Sequence, residues 1–226
     1  MAVDYDLPTV TPGGDNPDPV EWANTWVKPA IAELNVRAAS LEAGGGSAWG
    51  GRHIAGRNHF NAAIGGEYAD NFGVTANTMY FVPFWVPADC TYDRINFTLA
   101  TSGGGGTVAR SGIFSVGADG LPGDVILDAG TVAASASGDK SITISASLPA
   151  GVYFTALVID AAITIRRIGG NPLRNPLSWF GYAGADQINA THLSMASVGT
   201  GALTDSPSGT IAYSQGDFPL ISLRAS

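Results

Sequence analysis

From residue 79 onward, short segments that alternate apolar and polar residues are separated by turn sequences, and this pattern constrains the fold most. In residues 92–99, Ile95, Phe97 and Leu99 alternate with polar residues, as in a strand with one buried face. Residues 152–159 are apolar on both faces, which predicts a central strand. Segments at a spacing of about 8–12 residues with no helical pattern between them predict a mainly β protein with an antiparallel β-sandwich or jelly-roll-like domain. The other predicted strands are 79–86, 107–116, 124–132, 141–147, 163–168, 178–183, 210–213 and 220–224.

The links between these strands are rich in glycine, which makes up 30 of the 226 residues. Residues 103–106 are four consecutive glycines without the Lys-Ser/Thr sequel of a phosphate-binding loop, and they predict a hairpin loop. Residues 148–151, Leu-Pro-Ala-Gly, predict a tight link between two strands.

The whole sequence divides into four stretches. Four prolines and a glycine pair predict an extended acidic arm over residues 1–19. A short helix is predicted for 20–43 and a Gly-rich linker or long loop, with room for one short strand, for 44–78. The β-sandwich domain then occupies 79–226.

The predicted helix carries an apolar heptad pattern. Asp18 can cap it, Pro19 suits its first position, and Pro29 is expected to kink or divide it. Two interpretations remain open: an amphipathic helix packed on its own β domain, or a coiled coil between identical chains. The second is favoured because the segment lies between an arm and a glycine run. The predicted oligomerisation residues, at the a and d positions, are Val20, Asn24, Val27, Ile31, Leu34, Ala38 and Leu41.

Charge and composition argue against several classes of protein. The net charge is −8 and the one basic doublet is Arg166-Arg167, so no nucleic-acid partner is predicted. No apolar run approaches the roughly 18 residues of a membrane span, and the first residues lack the features of a secretory signal. The single cysteine, Cys90, excludes a disulfide within the chain and is predicted to be a buried, inert thiol.

No metal site or cofactor is predicted. His53 and His59 are six residues apart, which matches no common zinc spacing, and they are expected to bond to backbone or water. Asp119, Asp124 and Asp128 flank a Gly-rich turn without EF-hand spacing, so solvated turn acids are the default expectation.

Catalysis is not predicted either. Glycoside hydrolysis uses two carboxylates that face each other across a sugar. Glu67 is the sole glutamate in residues 43–226, and the aspartates there form no recognisable pair. A pair can still form in space, so a polysaccharide depolymerase remains an alternative.

The loop aromatics offer a candidate glycan site. Aromatic faces stack on sugars, and Trp179 and Tyr182 in the sequence Ser-Trp-Phe-Gly-Tyr are the predicted pair. Their spacing is not a strict alternation, so they can face opposite sides of a strand. Packing within the core is the competing interpretation for each of them.

Several turn sequences resemble a β-sandwich domain of tailed-bacteriophage virion proteins, which also occurs in gene-transfer-agent particles. The resemblance covers about residues 79–168. It rests on Asp93-Arg94-Ile95, residues 101–106, Arg110-Ser111-Gly112-Ile113-Phe114, Gly120-Leu121-Pro122-Gly123, Asp128-Ala129-Gly130 and Leu148-Pro149-Ala150-Gly151-Val152-Tyr153-Phe154.

This resemblance implies a structural protein of the virion, in a tail fibre, head fibre or spike. Such proteins often trimerise behind a short N-terminal helix, so a homotrimer is expected, joined to other virion proteins by the arm. The displayed sandwich is then expected to attach to the host surface, with glycan as one possible ligand. A capsid decoration protein is the main alternative. A secreted lectin is a weaker one, because the chain lacks a secretory signal and disulfides.

Overall fold

Alternating burial produces thirteen β-strands and no α-helix in the part of the chain that the structure describes. This computed structural model describes residues 53–60, 68–168, 190–204, 207, 209–215 and 217–226. The protein is a mainly β antiparallel sandwich, as predicted. The strands are β1 (Asn58–Phe60), β2 (Tyr68–Val74), β3 (Thr78–Val86), β4 (Cys90–Leu99), β5 (Val108–Val116), β6 (Pro122–Ala133), β7 (Gly138–Leu148), β8 (Gly151–Ile159), β9 (Ile163–Ile168), β10 (Ala190–Met195), β11 (Ile211–Gln215), β12 (Phe218–Pro219) and β13 (Ser222–Ala225).

Several predictions fall on residues outside this description. They are the arm at 1–19, the helix at 20–43 with its seven heptad positions, and the strand at 178–183 with Trp179 and Tyr182. The described residues all belong to one unit, Trp49–Ser226.

Two sheets form the sandwich. Sheet A has seven strands in the order β1-β13-β4-β9-β12, with β2 paired to β9 and β7 paired to β4. Sheet B has six strands in the order β11-β10-β3-β8-β5-β6. The central position of β8, between β3 and β5, confirms the prediction from its apolar sequence.

The main core lies between the sheets. Tyr92, Ile95 and Leu99 of β4 are at most 1% exposed, while the alternate residues of this strand lie at the surface. Ile142 and Ile144 of β7 are also buried, as their alternation predicts. Burying one such large side chain contributes about 1.5–3 kcal/mol, so this two-sided core accounts for much of the stability.

Sheet B carries a second apolar cluster on its other face. This explains why β3 and β8 are apolar on both sides. The cluster is completed by residues 196–204, named here the strap, whose Val198 and Leu203 pack against it. Its buried members are Met79, Phe81, Phe114, Phe154, Ala156, Val158, Leu193 and Met195.

The glycine run at 103–106 is not the hairpin loop that the sequence predicts. It carries the chain from β4 in sheet A to β5 in sheet B. Gly104 and Gly106 have φ values of +87° and +82°, which suit a sharp turn both in a hairpin and in a connection between the sheets. Glycines encode the turn locally. Whether the strand after the turn pairs with the preceding strand or joins the other sheet depends on strands far away in the sequence. The Leu-Pro-Ala-Gly link at 148–151 likewise crosses between the sheets, from β7 to β8.

The remaining differences concern strand number and burial. The predicted loop at 44–78 contains two strands, β1 and the seven-residue β2, rather than one. Cys90 is only partly buried, not buried, because it begins β4 at the end of the sheet. From β3 to β9, the predicted strand ends differ from the observed ones by three residues or fewer.

Candidate functional site

A polar groove of about 230 Å³ lies on sheet A where β1, β13, β4 and β7 run side by side. Its polar lining comes from all four strands. Five of these residues are uncharged, and Asp139 and Lys140 carry opposite charges. They are Asn58, Asn96, Thr98, Asp139, Lys140, Ser141 and Ser222.

The strand register explains why these side chains converge. Ser222 of β13 lies opposite Asn96 of β4, and Asn96 lies opposite Ser141 of β7. Residues directly opposite each other on antiparallel strands project from the same face. Their sequence neighbours Ile95 and Ile142 are buried in the core, so the polar set faces outward.

Hydrogen bonds within the groove hold its walls in place. Asn96 Nδ2 donates to Asn58 Oδ1 at 2.9 Å, and Thr98 Oγ1 donates to Asp139 Oδ1 at 2.7 Å. Ser222 Oγ donates to the Asn96 carbonyl at 3.5 Å. These bonds use one oxygen of Asp139 and one amide hydrogen of Asn96. The groove therefore presents fixed groups that still have capacity to donate and accept.

An exposed aromatic ring flanks the groove. Phe60 is 52% exposed and lies opposite Ser222 in the pairing of β1 with β13. It is two residues from Asn58, so both side chains project from the same face of β1. Together, the polar groove and this ring form the candidate site, named here the sheet A groove.

A histidine cluster anchors the other side of β1. The rings of His53 and His59 stack with centroids 4.0 Å apart, and His53 Nδ1 lies 2.5 Å from Tyr92 Oη. The Ile54 amide donates to His59 Nε2 at 2.9 Å. Burial, with a smaller contribution from His59, lowers the pKa of His53 to about 4. His53 is therefore a neutral packing group, and its stacking on His59 helps to fix the strand bearing Asn58.

The predicted histidine environment is confirmed for His59, which bonds to backbone, and wrong for His53, which contacts a tyrosine hydroxyl. Within the residues that the structure describes, no three His, Cys, Asp or Glu side chains group as metal ligands.

The three turn aspartates have structural partners rather than a shared site. Asp119 Oδ1 accepts from the Leu121 amide at 3.0 Å within its turn. Asp128 pairs with Arg110 at 2.5 Å and accepts from the Leu203 amide at 3.2 Å. This ion pair thus ties the strap to sheet B.

The sheet A groove was not predicted from the sequence. The outward Asn96 and Thr98 of β4, and the alternating Ser and Thr residues of β7, were visible as polar positions. Their meeting with Asn58 and Ser222 depends on the insertion of β13 between β1 and β4. No local pattern signals that insertion.

Comparisons with known proteins add little. No protein-family model and no curated protein matches the chain. One solved structure, a variant of the clostridial cysteine protease Cwp84 after propeptide cleavage, is similar with a TM-score of 0.42 and 16% identity. The match covers 74% of this chain and 40% of that chain, and it carries no argument about function at this level. Among the described residues, no helix has the length and hydropathy to cross a membrane.

Proposed function

We propose that the chain is a structural protein of a phage or phage-like virion, a fibre or spike whose sandwich binds glycan on the host surface. The sheet A groove, with Phe60 beside it, is the observation that carries the binding role. The resemblance of residues 79–168 carries the assignment to a virion. The N-terminal arm attaches the protein to the particle, and the heptad at residues 20–41 joins three copies.

Several of the resembling residues shape the sandwich. Arg110 and Asp128 form the ion pair that holds the strap. A Cβ at Gly112 would lie 2.3 Å from Leu203 Cδ1 and 2.5 Å from the Leu127 carbonyl oxygen, so this position excludes larger residues. Gly120 and Gly130 have φ values of +78° and +79°, which glycine adopts without strain. These five residues therefore have structural roles in the sandwich.

The chemistry of the groove suits an uncharged sugar. Sugar hydroxyls donate and accept hydrogen bonds, and amides, hydroxyls and a carboxylate match both roles. A few fixed polar groups beside an apolar surface are typical of small-ligand sites. Phe60 supplies an exposed ring face for the apolar side of a pyranose.

The binding role can be tested on the purified full-length protein with an array of bacterial surface polysaccharides, followed by titration of any ligand found. Phe60→Ala and Asn96→Ala should each weaken binding by about tenfold, equivalent to about 1.4 kcal/mol. Thr131→Ala, an exposed position on β6 outside the groove, is the matched control and should bind as the parent does. Circular dichroism checks that each variant folds.

Equal glycan binding by the parent and both groove variants would contradict the proposal that the sheet A groove is the binding site. The virion assignment has a separate test. Antibody labelling of particles should place the chain on a fibre or spike, whereas labelling over the whole capsid surface would indicate a decoration protein. The trimer is tested by sedimentation, since a mass of 23.1 kDa, that of one chain, would contradict it.

A further inference from the structure

Strand β7 lies at an edge of sheet A as the described residues form it. Among the described residues it pairs with β4 alone, along Gly138–Leu148. Alternate residues of an edge strand direct their amide and carbonyl groups away from the sheet. Such a row is a template for a further strand.

This edge lacks most of the features that normally block pairing. Residues 141–148, Ser-Ile-Thr-Ile-Ser-Ala-Ser-Leu, contain no charge, no proline and no glycine. One register shift interrupts its pairing with β4, opposite Tyr92 and Arg94. The long edge strand of sheet B, β6, is protected in contrast. It contains Asp124 and Asp128, and its pairing with β5 shifts register three times.

We infer that β7 pairs antiparallel with β7 of a second copy of this chain. Outward side chains at 143, 145 and 147 are small hydroxyls, so they oppose each other across the junction without clash or charge repulsion. The buried residues Ile142 and Ile144 would meet their counterparts and continue the core across the junction.

A twofold junction also limits the strand pairing to two copies of the chain. Pairing β7 with a different edge of the next copy would leave new edges open and could continue without limit. Pairing β7 with itself uses the same surface on both chains and closes. Of the long edge strands that the structure describes, β6 is charged and irregular. The most suitable partner for β7 is therefore β7 of another copy.

The pairing has a consequence for the sheet A groove, and this consequence rests on the proposed function. The twofold axis of an antiparallel strand pair within one sheet is perpendicular to that sheet. Both grooves therefore face the same side of the joined sheet. Two linked sites raise the apparent affinity for a surface by effective concentration, without any new contact.

Cysteine scanning of β7 in the full-length protein tests the pairing. In a Cys90→Ser background, Thr143→Cys, Ser145→Cys and Ser147→Cys are oxidised under mild conditions. Disulfides need Cα atoms within about 7 Å, so a twofold junction gives strong cross-linking at the position nearest the axis and weaker cross-linking away from it. Thr131→Cys, exposed on β6, is the matched control and should not cross-link. Equal yields at all four positions, or no cross-linking, would overturn the inference.

Mass measurement gives a second, independent readout. Ser145→Lys places equal charges close together across the junction. In the proposed trimer, β7 pairing joins two trimers, so this substitution should halve the mass of the full-length assembly from six chains to three. Residue 145 is exposed, so its substitution should leave the unfolding temperature nearly unchanged. An unchanged mass would contradict the pairing. Phe60→Ala tests the groove alone and should leave β7 cross-linking intact, so failure of either idea can be recognised separately.

Discussion

Acidification should weaken the sandwich through one buried histidine. His192 of β10 is 3% exposed and lies near the rings of Phe72 and Tyr80, with centroids 5.6 Å and 5.8 Å away. Burial lowers its pKa from 6.5 to about 4, because the charged form loses its hydration.

The size of the effect follows from the two pKa values. Below pH 6.5 the unfolded chain binds a proton at His192, whereas the folded chain remains neutral until about pH 4. The free energy of unfolding therefore falls as the pH falls through this window. A difference of about 2.5 pKa units corresponds to roughly 3 kcal/mol at about 1.4 kcal/mol per unit. His53 has a similar pKa of about 4 but is only half-buried, so solvent screening reduces its share to roughly 1 kcal/mol.

Urea unfolding at pH 7.0, 5.5 and 4.5, at constant ionic strength, measures this loss. His192→Gln removes the titrating group, and the loss between pH 7.0 and 4.5 should shrink by about 2 kcal/mol, because the full effect is reached only below pH 4. The comparison uses the change with pH, because the substitution also alters stability at neutral pH. His192→Phe serves as a second non-titrating variant if the glutamine is poorly tolerated.

The reasoning is refuted if both His192 variants lose as much stability on acidification as the parent. The two carboxylates with lowered pKa values do not affect this comparison. Hydrogen bonds from Arg224 hold the pKa of Asp93 below its usual 3.8, and Arg110 acts similarly on Asp128 against the opposing effect of burial. The stability that these two carboxylates contribute is present above about pH 3.8 and is lost below that pH. This range lies below the lowest pH of the urea measurements.

Three other substitutions test the packing. Phe81→Ala, at a side chain with 0% exposure, should lower the free energy of unfolding by about 3–5 kcal/mol in urea titrations. Ile126→Ala, 44% exposed, is its control and should change it by less than about 0.5 kcal/mol. Gly112→Ala should cost about 1–3 kcal/mol in the same assay, because its Cβ would press on the strap, and unchanged stability would show that the strap yields freely. Arg110→Met should speed amide hydrogen exchange at 198–203 more than in sheet A, and uniform exchange rates would contradict the anchoring role of the ion pair.

The sequence predicted the strands because burial repeats with a period of two along each of them. Ile95, Phe97 and Leu99 had to share a face wherever the strand was placed. The apolar sequence of β8 likewise required cover on both sides, which its central position in sheet B provides.

Features that depend on residues far apart in the chain were not predicted from the sequence. The glycines at 103–106 encode a turn, but the strand beyond them joins the other sheet. The sheet A groove needs Asn58, Asn96 and Ser222 side by side, and that register is fixed by long-range packing. Phe60 was missed because a three-residue strand is too short to show a period.

The position of β13 has a consequence for synthesis of the protein. This strand fits between β1 and β4, and its Arg224 pairs with Asp93, 131 residues earlier. During translation, sheet A therefore remains a split sheet until residues 222–225 have left the ribosome. Chains that stop short of this point would keep two unpaired strand edges and an uncovered Ile95, a state that chaperones and proteases recognise. Folding of sheet A thus depends on β13, whatever the later assembly of the protein.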